Sequence, residues 1–215
     1  MSTVVLLLKW VFFIGLALGG YFLFKAFSAR DQARDRLQRA TWEDFARRNG
    51  LKFDPMPLSI AGTLEGRKVE LTREEQLGRN NYVIVITRVN LSVDDALPWK
   101  LELTREEAQD KFLKLVGKGD AEVGEPLFDS TFKLAHTSPE ALAVLRDPQV
   151  QHSLLEVVRV HSGFFALQNG DLELEAHGSY GEPGSLEVLL KRLFDVVRAL
   201  NAAKARATPP PAPAP

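Results

Sequence analysis

Cysteine is absent from this 215-residue chain, which excludes a disulfide scaffold and any thiolate metal site. The absence fixes no compartment, because it suits a cytoplasmic domain and equally an exported one that needs no cross-link. An excess of one charge sign is missing too. The 27 basic and 28 acidic residues leave a net charge of -1, and the basic residues are not gathered on one late element; a nucleic-acid partner is therefore not indicated. Catalytic signatures are also lacking. The chain has no Gly-Lys-Ser/Thr phosphate loop, no His-Glu-x-x-His zinc helix, no Gly-x-Ser-x-Gly nucleophile elbow and no EF-hand spacing, so no reaction is legible and no cofactor is implied.

What is present is one long apolar run. Val4 to Phe24 contains a single charge, Lys9. As a helix its 21 residues would rise roughly 31 Å, enough for the ~30 Å hydrocarbon core, with every backbone group paired inside the segment. Lys9 stands near one end, where its stem can lie along the helix while the ammonium reaches the headgroups, and Trp10 and Tyr21 suit the two interfacial belts. A cleaved secretory signal is the rival, with Ala26-Phe27-Ser28 as a loose cleavage site. It fits less well, because apolar residues also precede the charge and the run is long enough to span. Lys25, Arg30, Arg34, Arg36 and Arg39 follow the run directly, so the positive-inside bias puts the carboxyl side in the cytoplasm and makes this a single-pass protein of the inner membrane.

The chain then divides into an anchor at 1–29, a charged juxtamembrane helix at 30–50, a domain at 51–205 and a Pro-rich tail, disordered by composition, at 206–215. Arg30 to Arg48 reads as a helix, either continuous or broken at a capping box formed by Thr41 and Asp44, with Trp42, Phe45 and Ala46 turned to the core and Gly50 ending it. Alternation from Ser59 predicts a hairpin turning at Glu65-Gly66. Tyr82 to Val93 is the candidate central strand, with Trp99 to Leu103 pairing back onto it. Thr104 and Glu107 would cap a helix carrying Ala108, Phe112, Leu115 and Val116. A strand at Ser130 to Ala135 follows, then a helix opened by Ser138-Pro139-Glu140 and restarted or kinked at Asp147-Pro148. A hairpin around Asn169-Gly170 and a last helix from about Ser185 with Leu186, Leu189, Leu190, Leu193, Val197 and Leu200 on one stripe complete the order. Hairpin connections favour an α+β fold, a mostly antiparallel sheet covered by helices behind one transmembrane helix.

The order of anchor, charged helix with a late Trp, Gly-bearing hairpin, Phe128-Asp129, Phe132, Ser138-Pro139-Glu140, Leu145, Pro148, Leu154-Leu155 and closing Leu-rich helix resembles uncharacterised bacterial membrane-anchored proteins that share a domain of unknown function. The resemblance implies a location and a fold, and brings no activity or site with it.

Several constellations invite a chemical reading. His152 and Glu156 would share a helix face, with His161 nearby as a third zinc ligand, although a polar helix face explains the pair as well. Ser179, Gly181 and Ser185 belong to a Gly-rich loop that enters a helix, where amides could receive an anion; a plain connection with Ser185 as N-cap competes. Asp120, Glu122, Glu125 and Asp129 are acids in a loop without calcium spacing. The expectation is a non-enzymatic, membrane-tethered binding or structural module, with another protein or a small ligand as partner beside the membrane. The alternative is a membrane-anchored hydrolase or metalloenzyme using His152, Glu156 and His161. Lipid sensing through Arg34, Arg36, Arg39, Arg47 and Arg48 is a third option.

Overall fold

The computed structural model describes residues 21, 25, 30, 32–77, 82–93, 102–105, 122–135, 137–161 and 163–207. The apolar run up to Phe24, Tyr21 excepted, lies outside them, as do the expected helix at Ala108 to Val116 and residues 208–215 of the Pro-rich tail, whereas Arg206 and Ala207, expected in that tail, are helical. Among the described residues no helix is long and apolar enough to cross a membrane.

Among the described residues the architecture is α+β: one antiparallel sheet of eight strands, with five helices. Helix α1 covers residues 32–48. Strands β1 (Lys52–Pro55), β2 (Leu58–Leu64), β3 (Arg67–Leu77), β4 (Val83–Ser92) and β5 (Glu102–Arg105) follow, then α2 (Pro126–Asp129) and β6 (Phe132–Ala135). Helices α3 (Pro139–Leu145) and α4 (Pro148–Val160), strands β7 (Phe165–Gln168) and β8 (Asp171–His177), and helix α5 (Ser185–Ala207) are the remaining described elements. The strand order is β1-β2-β3-β4-β8-β7-β5-β6.

Register follows from alternation. In each antiparallel pair, directly opposed residues share a face. Ile60, Leu71, Val89, Leu174 and Phe165 are linked partner to partner across β2, β3, β4, β8 and β7, and all five are buried. The stripe expected on α5, Leu186, Leu189, Leu190, Leu193, Val197 and Leu200, is buried in the same cluster with Trp42, Phe45 and Ala46 of α1. The two-residue turn at Asn169-Gly170 has φ of 53° and 81°, the left-handed geometry that a tight hairpin requires.

The helix starts read from the sequence are present. The Ser138 hydroxyl accepts from the Ala141 amide, and the Asp147 carboxylate accepts from the Gln149 amide, so the chain restarts at Pro148 as a separate helix.

Other expectations need correction. β5 does not pair back onto the 82–93 strand; it lies between β6 and β7, and β8 takes the place beside β4. β8 opposes β4 over seven residues and sets Leu172, Leu174 and Ala176 beside Leu91, Val89 and Thr87, whereas β5 has four residues with Leu103 as its buried one. Thr104 is therefore a ladder residue opposite Lys133 and Ala166, not a helix cap. Helix α1 passes Thr41 without a break, because the Thr41 hydroxyl donates to the Gly181 carbonyl and Arg47 and Arg48 hold Asp44. On α1 Leu37 is exposed, while Gln38 beside it is buried.

Candidate functional site

The Gly-rich segment 177–185 joins β8 to α5 and is fixed from two sides. On the sheet side the Gly178 amide donates to the Val85 carbonyl at 3.0 Å, and the Thr87 hydroxyl donates to the Gly178 carbonyl at 2.9 Å. On the other side α1 donates to three consecutive carbonyls. The Gln38 amide donates to Ser179 O, the Trp42 indole N–H to Tyr180 O at 3.2 Å and the Thr41 hydroxyl to Gly181 O at 2.9 Å. Residues 38, 41 and 42 share one helix face by the i, i+3, i+4 rule. Each such bond contributes about 0.5–1.5 kcal/mol net, and burial of the Trp42 ring adds more. Gly181 permits the approach: a Cβ there would sit 3.3 Å from Gln38 Cβ.

This arrangement decides how the loop meets its surroundings. Ser179 and Gly181 offer carbonyl oxygens to α1, and the Ser185 amide and hydroxyl both donate to the Glu182 carbonyl. Ser185 is thus the first residue of α5, and its hydroxyl is a donor and not an N-cap acceptor.

His152, Glu156 and His161 are not brought together. His152 is exposed on α4. Glu156, four residues on, is bonded to Arg159 and Arg192, and the Arg159 bond is the main cause holding its carboxyl below the usual range. His161 caps α4 and is buried, with Nδ1 hydrogen-bonded to the Tyr180 hydroxyl at 2.6 Å. Burial, reinforced by the nearby Arg192 charge, lowers its pKa to about 4, so the imidazole is neutral at pH 7; burial likewise pushes the Tyr180 phenol up to about 12. Among the described residues no group of three or more His, Cys, Asp or Glu side chains could hold a metal ion.

Two of the loop acids have local tasks, and Asp120 lies outside the described residues. Glu125 caps α2 by accepting from the Phe128 amide, and Asp129 accepts from the Val123 and Gly124 amides. Of the arginines considered for lipid sensing, Arg47 and Arg48 are paired with Asp44, and Arg48 also with Glu187. Of the interface residues, Tyr21, Lys25 and Arg30 are helical and exposed; Lys9 and Trp10 lie outside the described residues.

Opposite the helices, β2, β3, β4 and β8 turn a polar face outward, as antiparallel sheets commonly do. Arg88 lies near its middle, bonded to Glu74 at 2.9 Å and to Glu175, with Glu173 at 3.4 Å. Beside this cluster is a shallow basin of about 930 Å³ lined by residues including Thr63, Lys68, Glu70, Asn90, Ser92 and Glu173. It is dense in hydrogen-bonding groups and carries more acid than base. A smaller groove of about 690 Å³ runs between α4 and α5 past His152, Glu156 and Arg192.

Reasoning on the sequence missed Gln38, Arg88 and Tyr180. Gln38 and Tyr180 gave no signal, since their partners lie 141 and 19 residues away. Arg88 gave one: a lone arginine in the polar phase of an apolar strand needs carboxylates on the strands beside it. No family model, curated protein or solved structure matches the chain.

Proposed function

We propose that the chain is a single-pass protein of the bacterial inner membrane whose C-terminal α+β domain stands in the cytoplasm as a non-enzymatic binding or structural module. The observation that carries this proposal is the seating of α1. The helix that follows the apolar run is not a loose tether: Trp42, Phe45 and Ala46 are buried in the domain's own core, and Gln38, Thr41 and Trp42 are bonded to the carbonyls of residues 179–181. A domain bolted to its juxtamembrane helix keeps one orientation towards the membrane, which suits presentation of a surface. The proposal also takes in the bacterial membrane-anchored proteins with a shared domain of unknown function that the residue pattern resembles.

The surface best suited to a partner is the polar face of β2, β3, β4 and β8. Its Thr63, Lys68, Glu70, Asn90 and Glu173 side chains favour a polar, hydrogen-bonding protein segment or small ligand over an apolar one. No observation favours the hydrolase or metalloenzyme alternative, because Glu156 is committed to arginines and His161 to Tyr180.

Two measurements test the proposal. Full-length protein should remain with the membrane in alkaline carbonate, with a C-terminal tag protected from protease outside intact spheroplasts. A photo-crosslinker at Asn90 should capture a cellular component that Glu173→Arg releases. Carbonate-soluble protein overturns the anchor; absence of an adduct at Asn90, with Glu173→Arg without effect on what the protein binds, overturns the assigned surface.

A further inference from the structure

The outer basin differs from the rest of the sheet in how its charges are partnered. On one side of it Arg88 meets Glu74, Glu173 and Glu175, so three carboxylates already face one guanidinium. In the basin itself the acids continue. Glu70 and Asp171 are exposed, and among the described residues no hydrogen bond or ion pair holds either carboxylate. Lys68 is the one base among the described lining residues, against Glu70, Asp171 and Glu173.

The strand register sets these acids together. Glu70 is opposite Asn90, and Asn90 is opposite Glu173, so two acids flank a neutral amide on one rung, about 10 Å apart at the backbone. Asp171 precedes Glu173 by two positions on β8 and shares its face, about 7 Å away. Like charges on neighbouring strands weaken a sheet. The fold thus carries at this face a repulsion that its own described bases leave in place.

The spacing decides what could relieve it. A metal ion needs its oxygen ligands within about 2.5 Å of one point, and among the described residues no group of three or more acids or histidines could hold one. An apolar partner would strand the carboxylates and the amides of Asn90, Gln168 and Asn169 without water. An extended basic segment meets neither objection. Its residues i and i+2 project to one side about 7 Å apart, the period that separates Asp171 from Glu173, and its backbone needs the donors and acceptors that side-chain amides supply.

We propose that the outer basin binds an extended protein segment with arginine or lysine at alternate positions, two of them set on Asp171 and Glu173 with Glu70 as the acidic wall on the β3 side. This rests on the reading of this face as the partner surface, and names the chemistry of the partner. Asn90, Gln168 and Asn169 serve the segment's backbone, and Lys68, opposite Thr63 on the β2 side, meets one of its carbonyl or carboxylate oxygens.

Full-length protein in detergent micelles would be titrated, with fluorescence anisotropy as the readout, against a fluorescein-labelled octapeptide, Ser-Gly-Arg-Thr-Arg-Thr-Gly-Ser, and against its isomer Ser-Gly-Arg-Arg-Thr-Thr-Gly-Ser. The alternating peptide should bind several-fold more tightly than the isomer. Glu70→Gln and Asp171→Asn, which remove no bond within the described fold, should each weaken it about threefold to tenfold. Glu182→Gln, on an exposed loop outside the basin, should leave it unchanged. Equal binding of the two peptides, or an equal loss on Glu182→Gln, means diffuse charge attraction and overturns the proposal. Spermine binding as tightly as the alternating peptide makes a polyamine the occupant and overturns it as well. If neither peptide binds while the photo-crosslinker at Asn90 still captures a cellular component, the basic segment is wrong and the partner surface stands; if nothing is captured either, both fall.

Discussion

The two faces of the sheet, built by alternate residues of the same strands, do opposite work. Leu91 and Leu172 are opposite each other under the helices, completely buried, while their chain neighbours Asn90 and Glu173 are opposite each other on the outer face. The inner face holds the molecule together by excluding water. The outer one retains polar groups that the fold does not need, and a surface spared from stabilising duty is free to specialise.

The largest test of this division is Trp42→Ala. Removing a fully buried ring that also donates to Tyr180 should cost about 3–5 kcal/mol, read as a lower denaturant midpoint and as new protease cleavage near α1. Two adjacent substitutions on β4 sharpen the contrast. Leu91→Ala should lower stability by about 2–5 kcal/mol, whereas Asn90→Ala should leave it within about 0.5 kcal/mol; equal losses by denaturant titration would erase the distinction between the faces.

His161 tests the rim of the inner side. Its folded pKa of about 4 lies below the ordinary 6.5, so the unfolded chain takes up the proton first and stability declines as pH falls from about 6.5 towards 4. The loss should be on the order of 2 kcal/mol, and His161→Gln should flatten this window in melting curves. Further loss at lower pH belongs to Asp44, Glu140, Asp147 and Glu156, whose carboxyls are all held below their usual range. The smallest effect is expected on the outer side. Arg88→Met leaves Glu74, Glu173 and Glu175 facing one another and should cost about 1 kcal/mol or less at low salt, shrinking as ionic strength rises.

What was legible in the residues was local. Ser138-Pro139, Asp147-Pro148 and Asn169-Gly170 each encode a start or turn in adjacent side chains, and the α5 stripe repeats at helical spacing, so these elements stood where expected. Strand neighbours are set by competition between distant segments, and β5 was misplaced because its length, not its pattern, lost the position beside β4 to β8. The candidate site suffered likewise. The glycines of the 177–185 loop fit an anion cradle or a plain connection, and the use of its carbonyls depends on a helix more than a hundred residues earlier.

Among the described residues the sheet ends at β1 and β6, each four residues long, about 13 Å of strand. β1 begins with Lys52 and ends with Pro55, which has no amide hydrogen to offer. Where copies of a protein crowd together, long naked edge strands would zip neighbours into fibrils. Stubby flanks of this kind let many copies crowd together without polymerising.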